Sequence, residues 1–331
     1  MTRESVISVR NLVKRYGAIA AVDGVSFSVE RGEIFGLLGP NGAGKTTTIS
    51  VLSCLTSPTS GEVRVAGIDV TADSLAVRAR IGVVPQEIAL YPSLSARENL
   101  TFWGRMYGVP EGTLAERIDE LLETVKLSDR ARGRIDTFSG GMKRRVNIAA
   151  GLLHRPEVLF LDEPTVGIDP QTRRSILELV QSLNADGLTV LYTTHYLEEA
   201  EFLCTRIGIM DEGRMIAMGT RRELTESIGA TQVIRIVADG LDDSLCASFR
   251  ESPDISEATL VERQLSLHAR VGANLLPEIV AGLSSSGVRI HSVEVDDPNL
   301  ESVFLSLTGK SLRDGGSHEQ GTPEEAPEEA P

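Results

Sequence analysis

The chain has 331 residues, a length that suits about two domains of ordinary size. Its 33 basic and 47 acidic residues give a net charge of −14, which disfavours a general nucleic-acid binder. Cys54, Cys204 and Cys246 have no metal-ligand spacing, and we expect them to be small core residues in a reducing compartment. No signal-peptide pattern and no window of about 18 apolar residues is present, so we expect a cytoplasmic protein that reaches membranes only through a partner.

Two segments near the N-terminus, residues 6–10 and 25–30, alternate in hydrophobicity and predict edge strands. The loop predicted between them contains Tyr16. Its ring could stack on an adenine face, and the alternative is an ordinary surface or packing residue.

A glycine-rich loop follows at residues 39–46, which read Gly-Pro-Asn-Gly-Ala-Gly-Lys-Thr and fit the phosphate-binding pattern G-x-x-x-x-G-K-T. An apolar run at residues 34–38 predicts a buried strand before the loop, and residues 46–55 predict a helix after it. The glycines let backbone N–H groups face a phosphate, and the helix N-terminus adds positive charge. The predicted nucleotide-binding residues are Tyr16, Gly39, Pro40, Asn41, Gly42, Ala43, Gly44, Lys45, Thr46 and Thr47.

The segment after this loop predicts a strand at residues 81–86 that ends in Gln86, where the side chain could reach Mg²⁺ and an attacking water. The alternative is a polar loop residue. From residue 88 to about 139 the apolar positions recur at helical spacing, which predicts a helical insert. Its first part, residues 91–103, is rich in large apolar side chains. Core packing is the default interpretation, and a face that docks a partner is the alternative.

A second glycine pair lies at Ser139-Gly140-Gly141, before a helix predicted to run to about residue 154. Ser139 can cap that helix, and the two glycines at its N-terminus form an anion site that has no lysine of its own. A simple helix-start turn is the alternative. Residues 143–145, Lys-Arg-Arg, have the composition of a solvated face.

Two carboxylates, Asp162 and Glu163, end the apolar strand predicted at residues 156–164. Because adjacent strand residues face opposite sides, one can hold hydrated Mg²⁺ while the other orients or deprotonates water. Asp169 follows in a loop, and His195 follows a further strand at residues 188–193. In open α/β sheets the site lies at the carboxyl ends of the strands, so Gln86, Glu163 and His195 are expected to converge.

Together these segments resemble the nucleotide-binding subunit of ABC transporters over about residues 5–225. In family terms residues 39–46 resemble Walker A, residues 138–142 the signature motif and residues 158–163 Walker B. Tyr16 resembles the adenine-stacking aromatic and Gln86 the Q-loop glutamine. Asp169 resembles the D-loop aspartate and His195 the switch histidine. The departures from the family pattern are apolar or spacer changes that leave the catalytic groups intact: Phe138, Met142, Val166 and Ile168.

The resemblance implies an α/β P-loop NTPase cassette with an antiparallel β edge subdomain and a helical insert at about residues 88–142. It implies ATP and Mg²⁺ as cofactors and a homodimer, in which Ser139, Gly140 and Gly141 of one chain complete the γ-phosphate site of the other. Lys45 would bridge the β- and γ-phosphates. The implied catalytic residues are Lys45, Gln86, Glu163 and His195, and the implied Mg²⁺ ligands are Thr46, Gln86 and Asp162.

The C-terminal part, residues 231–309, predicts a small α+β accessory domain with the ferredoxin-like order β-α-β-β-α-β. A last helix follows, with an apolar stripe at Leu300, Val303, Phe304 and Leu307. Residues 298–309 resemble the C-terminal extension of daunorubicin-resistance-type exporter ATPases. Residues 310–331 carry repeated Glu-Glu-Ala-Pro, which predicts a disordered acidic tail.

The leading hypothesis is therefore the ATPase subunit of an exporter for drugs, antibiotics or lipid-like molecules, peripherally attached to the inner face of the cell membrane through a separate transmembrane permease. We expect Tyr91, Glu98 and neighbouring side chains to contact that partner. The alternatives are an importer ATPase and a non-transport ABC ATPase that acts on ribosomes or DNA. A single cassette, no heptad run and the acidic charge disfavour the last of these, and we expect no nucleic-acid partner.

Overall fold

The computed structural model describes residues 5–228, 231–270, 275–296 and 299–309. Within these ranges the strands are β1 Ser5–Tyr16, β2 Ile19–Glu30, β3 Ile34–Leu38, β4 Ser60–Val65, β5 Ile68–Asp69, β6 Ile81–Val84, β7 Val158–Asp162, β8 Thr189–Thr194, β9 Arg206–Asp211, β10 Arg214–Gly219, β11 Thr231–Asp239, β12 Ile255–Val261, β13 Gln264–Arg270 and β14 Arg289–Asp296. The α-helices are α1 Lys45–Leu52, α2 Ser74–Arg78, α3 Ala96–Met106, α4 Glu111–Thr124, α5 Gly140–Leu152, α6 Pro170–Ala185, α7 Leu197–Leu203, α8 Arg221–Ser227, α9 Asp243–Arg250, α10 Leu276–Ser285 and α11 Leu300–Thr308.

The central sheet has the order β10-β9-β3-β8-β7-β6, and β3 pairs in parallel with both β8 and β9. Every residue of β3, β7 and β8 is buried, as expected for parallel strands covered on both faces. The carboxyl ends of β3, β7 and β8 therefore meet at one edge of the sheet. The predicted phosphate loop follows β3, Asp162 ends β7 with Glu163 directly after it, and His195 follows β8.

The first part of the chain forms an antiparallel sheet of order β2-β1-β4-β5 beside the central sheet. The hairpin β1–β2 is longer than the sequence predicts. Tyr16 is the last residue of β1 and pairs with Ile19, so its prediction as a loop residue is wrong. The β edge subdomain itself is present as the family resemblance implies.

The helical insert consists of α3, α4 and two short 3₁₀ turns, and it packs against α5. Its core joins the face of α3 that carries Leu100 to the apolar stripe of α4, where Leu114, Ile118 and Leu122 are all buried. Gly104 permits this contact, because a Cβ there would lie 2.3 Å from a methyl carbon of Leu114.

The C-terminal region forms a separate antiparallel sheet of order β12-β13-β11-β14. Its elements follow the chain order β-α-β-β-α-β, with α9 and α10 covering a core that includes Ile236, Leu267 and Leu283. Cys246 is buried in this core, whereas Cys54 and Cys204 are partly buried elsewhere, and all three are free thiols.

The last helix, α11, leaves this sheet and packs on the cassette. Leu300, Val303 and Phe304 are buried against residues of β3, β9, α7 and α8. Leu307, the fourth residue of the predicted stripe, is 37% exposed, so the buried stripe consists of the other three residues. Residues 310–331, predicted to be a disordered acidic tail, lie outside the described residues. In the part of the chain described here, no helix has both the length and the apolar character needed to cross a membrane.

Candidate active site

The loop between β3 and α1 is shaped by close backbone packing. A Cβ on Gly39 would lie 2.2 Å from the carbonyl oxygen of Met210 in β9, so only glycine fits there. Gly44, the N-cap of α1, has a φ of 97°, a left-handed conformation that glycine adopts without strain. The first N–H groups of α1 have no partner within the helix, and the helix end carries partial positive charge. The loop therefore suits an anion such as a phosphate.

Lys45, the first residue of α1, is only 4% exposed. Its Nζ donates hydrogen bonds to the carbonyl oxygens of Gly39 and Pro40, at 2.7 and 2.9 Å. The same ammonium group lies 3.0 Å from Oε1 of Glu163, which makes a buried ion pair. The lysine of the phosphate loop is thus held against the carboxylate that follows β7.

Glu163 has a φ of 42° and lies one residue beyond the end of β7. The prediction that strand alternation separates Asp162 from Glu163 is therefore wrong, because Glu163 is not a strand residue. Its N–H donates to Oγ1 of Thr193 at 3.0 Å, and this bond helps to hold the left-handed backbone. Such a conformation costs on the order of 1 kcal/mol or more for a residue with a Cβ, and strain of this kind often occurs at functional sites.

The other carboxylate oxygen of Glu163 faces His195, whose Nδ1 lies 2.9 Å from Oε2. Burial by itself raises the pKa of Glu163. The hydrogen bond from His195 and the charge of Lys45 outweigh that effect and lower the pKa to about 2. We refer to Lys45, Glu163 and His195 as the Lys45 cluster. The convergence of Glu163 and His195 predicted from the strand ends is present.

Asp162 makes different contacts from its neighbour. Its Oδ1 accepts hydrogen bonds from Oγ1 of Thr193 at 2.6 Å and from Oγ1 of Thr46 at 3.2 Å. A buried carboxylate beside a hydroxyl at a helix start supplies the oxygen ligands that Mg²⁺ prefers, so these residues fit the ion. No sequence motif marks Thr193, whose hydroxyl contacts both Asp162 and the backbone of Glu163.

Gln86 lies two residues beyond β6 and has an exposed side chain. The loop is fixed through its backbone, since the guanidinium of Arg144 in α5 donates to the carbonyl oxygens of Pro85, at 2.6 Å, and of Gln86. Arg144 is 3% exposed, so the prediction of a solvated Lys-Arg-Arg face is wrong for this residue. The burial of Arg144 could have been predicted from helical spacing, because this residue lies one helical turn from Gly141 and from Ile148, which are both buried.

The signature residues begin α5. Ser139 is the N-cap and accepts from the N–H of Met142 at 3.3 Å. Gly140 is exposed with open space around it, whereas a Cβ on Gly141 would lie 2.0 Å from a methyl carbon of Thr172 in α6. Asp169 caps α6 in turn, accepting from the N–H of Thr172 at 3.0 Å. Ser139 and Asp169 therefore contact their own helices rather than the Lys45 cluster.

Tyr16 lies at the turn of the β1–β2 hairpin, and this hairpin borders the phosphate loop. A Cβ on Gly44 would lie 2.5 Å from the carbonyl oxygen of Ala21 in β2, which places this hairpin against the loop. The Tyr16 ring is 52% exposed, and Nζ of Lys14 lies 4.9 Å from its centre. An exposed ring at this edge remains available for stacking.

The phosphate-binding loop and the Lys45 cluster lie together at one edge of the parallel sheet. With the capped, glycine-rich start of α5, this arrangement defines a P-loop ATPase cassette. The chain belongs to the ATP-binding proteins of ABC transporters. A sequence profile described as "ABC transporter" matches residues 22–166. The family assignment made from the motifs is thereby confirmed.

Relatives match over nearly the whole chain. The linearmycin resistance ATP-binding protein LnrL of Bacillus subtilis (strain 168) is 48% identical over 315 residues, which are 93% of this chain and 100% of that protein. The daunorubicin resistance ATP-binding protein DrrA3 of Streptomyces coeruleorubidus is 41% identical over 312 residues, 94% of this chain and 98% of that protein. The predicted likeness to daunorubicin-resistance-type ATPases is confirmed.

Solved structures match the cassette. A dimeric post-hydrolysis state of the cassette MJ0796 bound to ADP and Pi has a TM-score of 0.59 at 30% identity, covering 65% of this chain and 98% of that chain. CbiO1 of Clostridium perfringens, part of the ABC transporter complex cbiONQ, has a TM-score of 0.63 at 28% identity, covering 68% of this chain and 94% of that chain. The predicted cassette fold is confirmed, and the chain is an ATPase that binds ATP.

Proposed function

We propose that this chain is the ATP-hydrolysing subunit of a membrane exporter for drugs, antibiotics or lipid-like molecules. The observation that supports export is the extent of the likeness. Solved cassettes align with about two thirds of the chain, whereas relatives named for drug resistance align with more than nine tenths of it. The resemblance to those proteins therefore includes sequence beyond the cassette, and on that basis we divide the chain into a cassette at residues 1–225 and an accessory domain at residues 231–309.

The Lys45 cluster supports a mechanism in which Glu163 is the general base. Its pKa of about 2 makes it ionised but weakly basic while it is paired with Lys45. When the ammonium of Lys45 turns to the γ-phosphate, Glu163 loses a cationic partner and gains an anionic neighbour, and both changes raise its basicity. Water then attacks phosphorus as its proton passes to Glu163, and the bond to the leaving ADP oxygen breaks. His195 holds the carboxylate in place and contacts the phosphate.

Mg²⁺ fits beside the same phosphates. Thr46 and Asp162 would hold it, together with Gln86 when the loop of that residue closes, and the ion would neutralise phosphate charge. Asp162 also fixes Thr193, which bonds the backbone of Glu163. The two adjacent carboxylates therefore keep separate tasks.

The signature residues support a homodimer with composite sites. Gly140 is exposed at the start of a 13-residue helix, so an anion can approach the helix end from outside the chain. Ser139 and Asp169 contact their own helices rather than the Lys45 cluster. They are therefore available to contact the phosphate of an ATP molecule bound by a second chain. ATP then joins the two cassettes, and its hydrolysis releases them.

A groove between α2 and the α3–α4 connection supports docking of a transmembrane permease. It has a volume of about 890 Å³, and its lining includes Leu75, Met106, Tyr107 and His154. Leu75 and Met106 are 75% and 66% exposed, although both are apolar. Large exposed apolar side chains around one groove indicate an interaction site.

The predicted docking stretch, residues 91–103, contains both core and exposed side chains, and none of its residues lines this groove. Leu100 is fully buried in the insert core, whereas Tyr91 is 45% exposed and packs edge-on against Phe102 at 4.8 Å. Glu98 is an unsuitable docking probe, because its carboxylate accepts from the N–H and hydroxyl of Ser95 and completes the cap of α3. A charge reversal there would weaken the helix as well as any contact.

We expect Met106→Lys to reduce attachment to membranes that contain the permease while leaving ATP hydrolysis unchanged. The exposed methionine makes little core contact, so the fold should be kept, whereas a charge in the groove opposes an apolar partner. The measurement is the fraction of chain that sediments with such membranes. Val261→Lys, which changes an exposed apolar residue in β12 (68% exposed), is the matched control. Equal sedimentation of both variants would place docking elsewhere.

Export itself is tested by loss of phosphate binding. In cells that depend on this chain, Lys45→Ala should raise the accumulation of an amphiphilic antibiotic, because ATP no longer drives its removal. Lowered uptake of a nutrient in the same cells would instead indicate an importer. Unchanged transport together with altered translation or DNA repair would indicate a non-transport ATPase. Arg222→Ala, which removes an exposed cation paired with Glu226 on α8, is the control and should resemble the unchanged chain.

A further inference from the structure

Arg173, in the first turn of α6, lies against the segment that carries His195. The centre of its guanidinium is 4.2 Å from the centre of the Tyr196 ring, and its Nε is 3.5 Å from Oε1 of Glu199. The Tyr196 ring in turn packs on the His195 ring at 4.1 Å. A cation over an aromatic face is an attractive contact, and it is stronger where water is excluded. Arg173 therefore holds the residue that packs on His195.

Glu199 gives this contact a rigid base. The carboxylate is 1% exposed and accepts hydrogen bonds from the hydroxyls of Thr165, Tyr192 and Thr194, at 2.5, 2.9 and 2.7 Å. Thr165 follows Glu163 by two residues, and the other two donors belong to β8. A buried carboxylate needs a nearby cation or several donors, and here it has both. Arg173 is thus fixed to the same framework that holds Glu163.

The turn that carries Arg173 also contacts the residues proposed to act on the partner's ATP. Asp169 caps this turn, and Thr172 packs directly against Gly141 of the signature. One helical turn therefore touches the D-loop aspartate, the signature glycine and the switch segment. A displacement of this turn would move Arg173 and, through their contact, the ring of Tyr196.

We infer that Arg173 is a positioning residue that keeps His195 on Glu163 and links this geometry to the dimer-facing turn of α6. The inference depends on the catalytic roles proposed above for His195 and Glu163. The ring nitrogen of His195 is 2.9 Å from the carboxylate, and a fixed imidazole keeps Glu163 oriented toward water when Lys45 turns to the γ-phosphate. Arg173 acts through Tyr196 and Glu199, and it touches no reacting atom.

The test compares adjacent arginines of α6. Arg173→Met should lower kcat by about 10- to 100-fold with KM for ATP nearly unchanged, because a misplaced His195 affects the chemical step rather than binding. Arg174→Met is the matched control. The Arg174 guanidinium also lies over an aromatic ring, that of Phe202 at 3.8 Å, but this ring is at the far end of α7 from His195. Equal kcat for the two variants would overturn the inference.

A second comparison leaves the buried charges in place. Tyr196→Leu should reproduce the loss of kcat, and Phe202→Leu should not. If Arg173→Met proves unstable because Glu199 is left unpaired, the double change Arg173→Met/Glu199→Gln removes both charges, and it should show the same kcat loss with thermal unfolding closer to the unchanged chain. A normal kcat in Tyr196→Leu and in the double variant would contradict the inference.

A double-mutant cycle separates positioning from general structural damage. Arg173→Met should add nothing to the loss caused by His195→Ala if Arg173 acts through His195, whereas an additive loss means an independent effect and overturns the inference. If His195→Ala lowers kcat strongly and the loss from Arg173→Met adds to it, the role of Arg173 is overturned but the proposed catalytic site stands. Wild-type turnover in His195→Ala would overturn both the proposed site and the role of Arg173.

Discussion

Replacing Glu163 by glutamine should stop ATP turnover while the chain still binds ATP. The amide cannot accept a proton from water, and loss of a positioned general base lowers rates by about 10²- to 10⁴-fold. ATP affinity should be equal or higher, because the substitution removes a negative charge beside Lys45, 3.0 Å away, which is then free for the phosphate. The measurement is phosphate release together with nucleotide binding, each on the purified chain with Mg²⁺.

The control for this substitution is Glu33→Gln. Glu33 is also a buried carboxylate (3% exposed) paired with an arginine, Arg206 at 3.2 Å. It precedes β3, whereas the phosphate loop follows β3, so the two carboxylates lie at opposite ends of the sheet. Glu33→Gln should lower stability without a specific loss of kcat. Phosphate release at the normal rate by Glu163→Gln would refute its role as general base.

Mixing two inactive chains should restore activity if the sites are composite. One chain carries Lys45→Ala and the other Gly140→Asp. Their heterodimer pairs an intact phosphate loop with an intact signature at one of its two sites, whereas neither homodimer has such a pair. With random pairing and independent sites, an equal mixture should reach roughly one quarter of the unchanged rate. The measurement is ATPase activity as a function of mixing ratio.

The choice of Gly140 follows from the structure. The motif alone suggests Gly141, but a Cβ there would collide with Thr172, so a loss of activity could come from damage within the chain. A Cβ on Gly140 would instead point into open space, with none of the described residues packed within 4 Å of it. Aspartate therefore fits at this position and places its charge where the phosphate is expected. Gly112→Asp, at a similarly open position near the start of α4, should remain active. Heterodimers that form but stay inactive would contradict composite sites with independent turnover.

Much of the site could be predicted because its residues follow strands of a parallel sheet. Such strands are recognisable as short apolar runs, and their carboxyl ends meet at one edge whatever the strand order. That is why Gln86, Glu163 and His195, which are distant in sequence, could be expected near one another, and the structure brings Glu163 and His195 into contact. The contacts of Gln86 and Tyr16 with nucleotide, and those of Ser139 with a partner's phosphate, stay predictions, because they involve molecules outside the chain.

Other features depended on contacts whose partners no local pattern identifies. Helical spacing places Arg144 on the buried face of α5, but only the tertiary structure shows that it holds the loop of Gln86. Glu163 looks like the last strand residue, but the bond from its N–H to Thr193 of the neighbouring strand holds it in a left-handed turn. In both cases the partner is distant in sequence, since the bonded pairs are 58 and 30 residues apart.

The sequence by itself determined the class of chemistry, since glycine spacing, a lysine at a helix start and carboxylates after an apolar run specify backbone shapes and charges that need no long-range information. Only the tertiary structure decided how those groups are coupled. The side-chain contacts of Arg173 with Tyr196 and Glu199, and the packing of α11 on the cassette, join segments far apart in the chain. Such contacts depend on shape and burial in three dimensions, which periodicity and motif spacing do not contain.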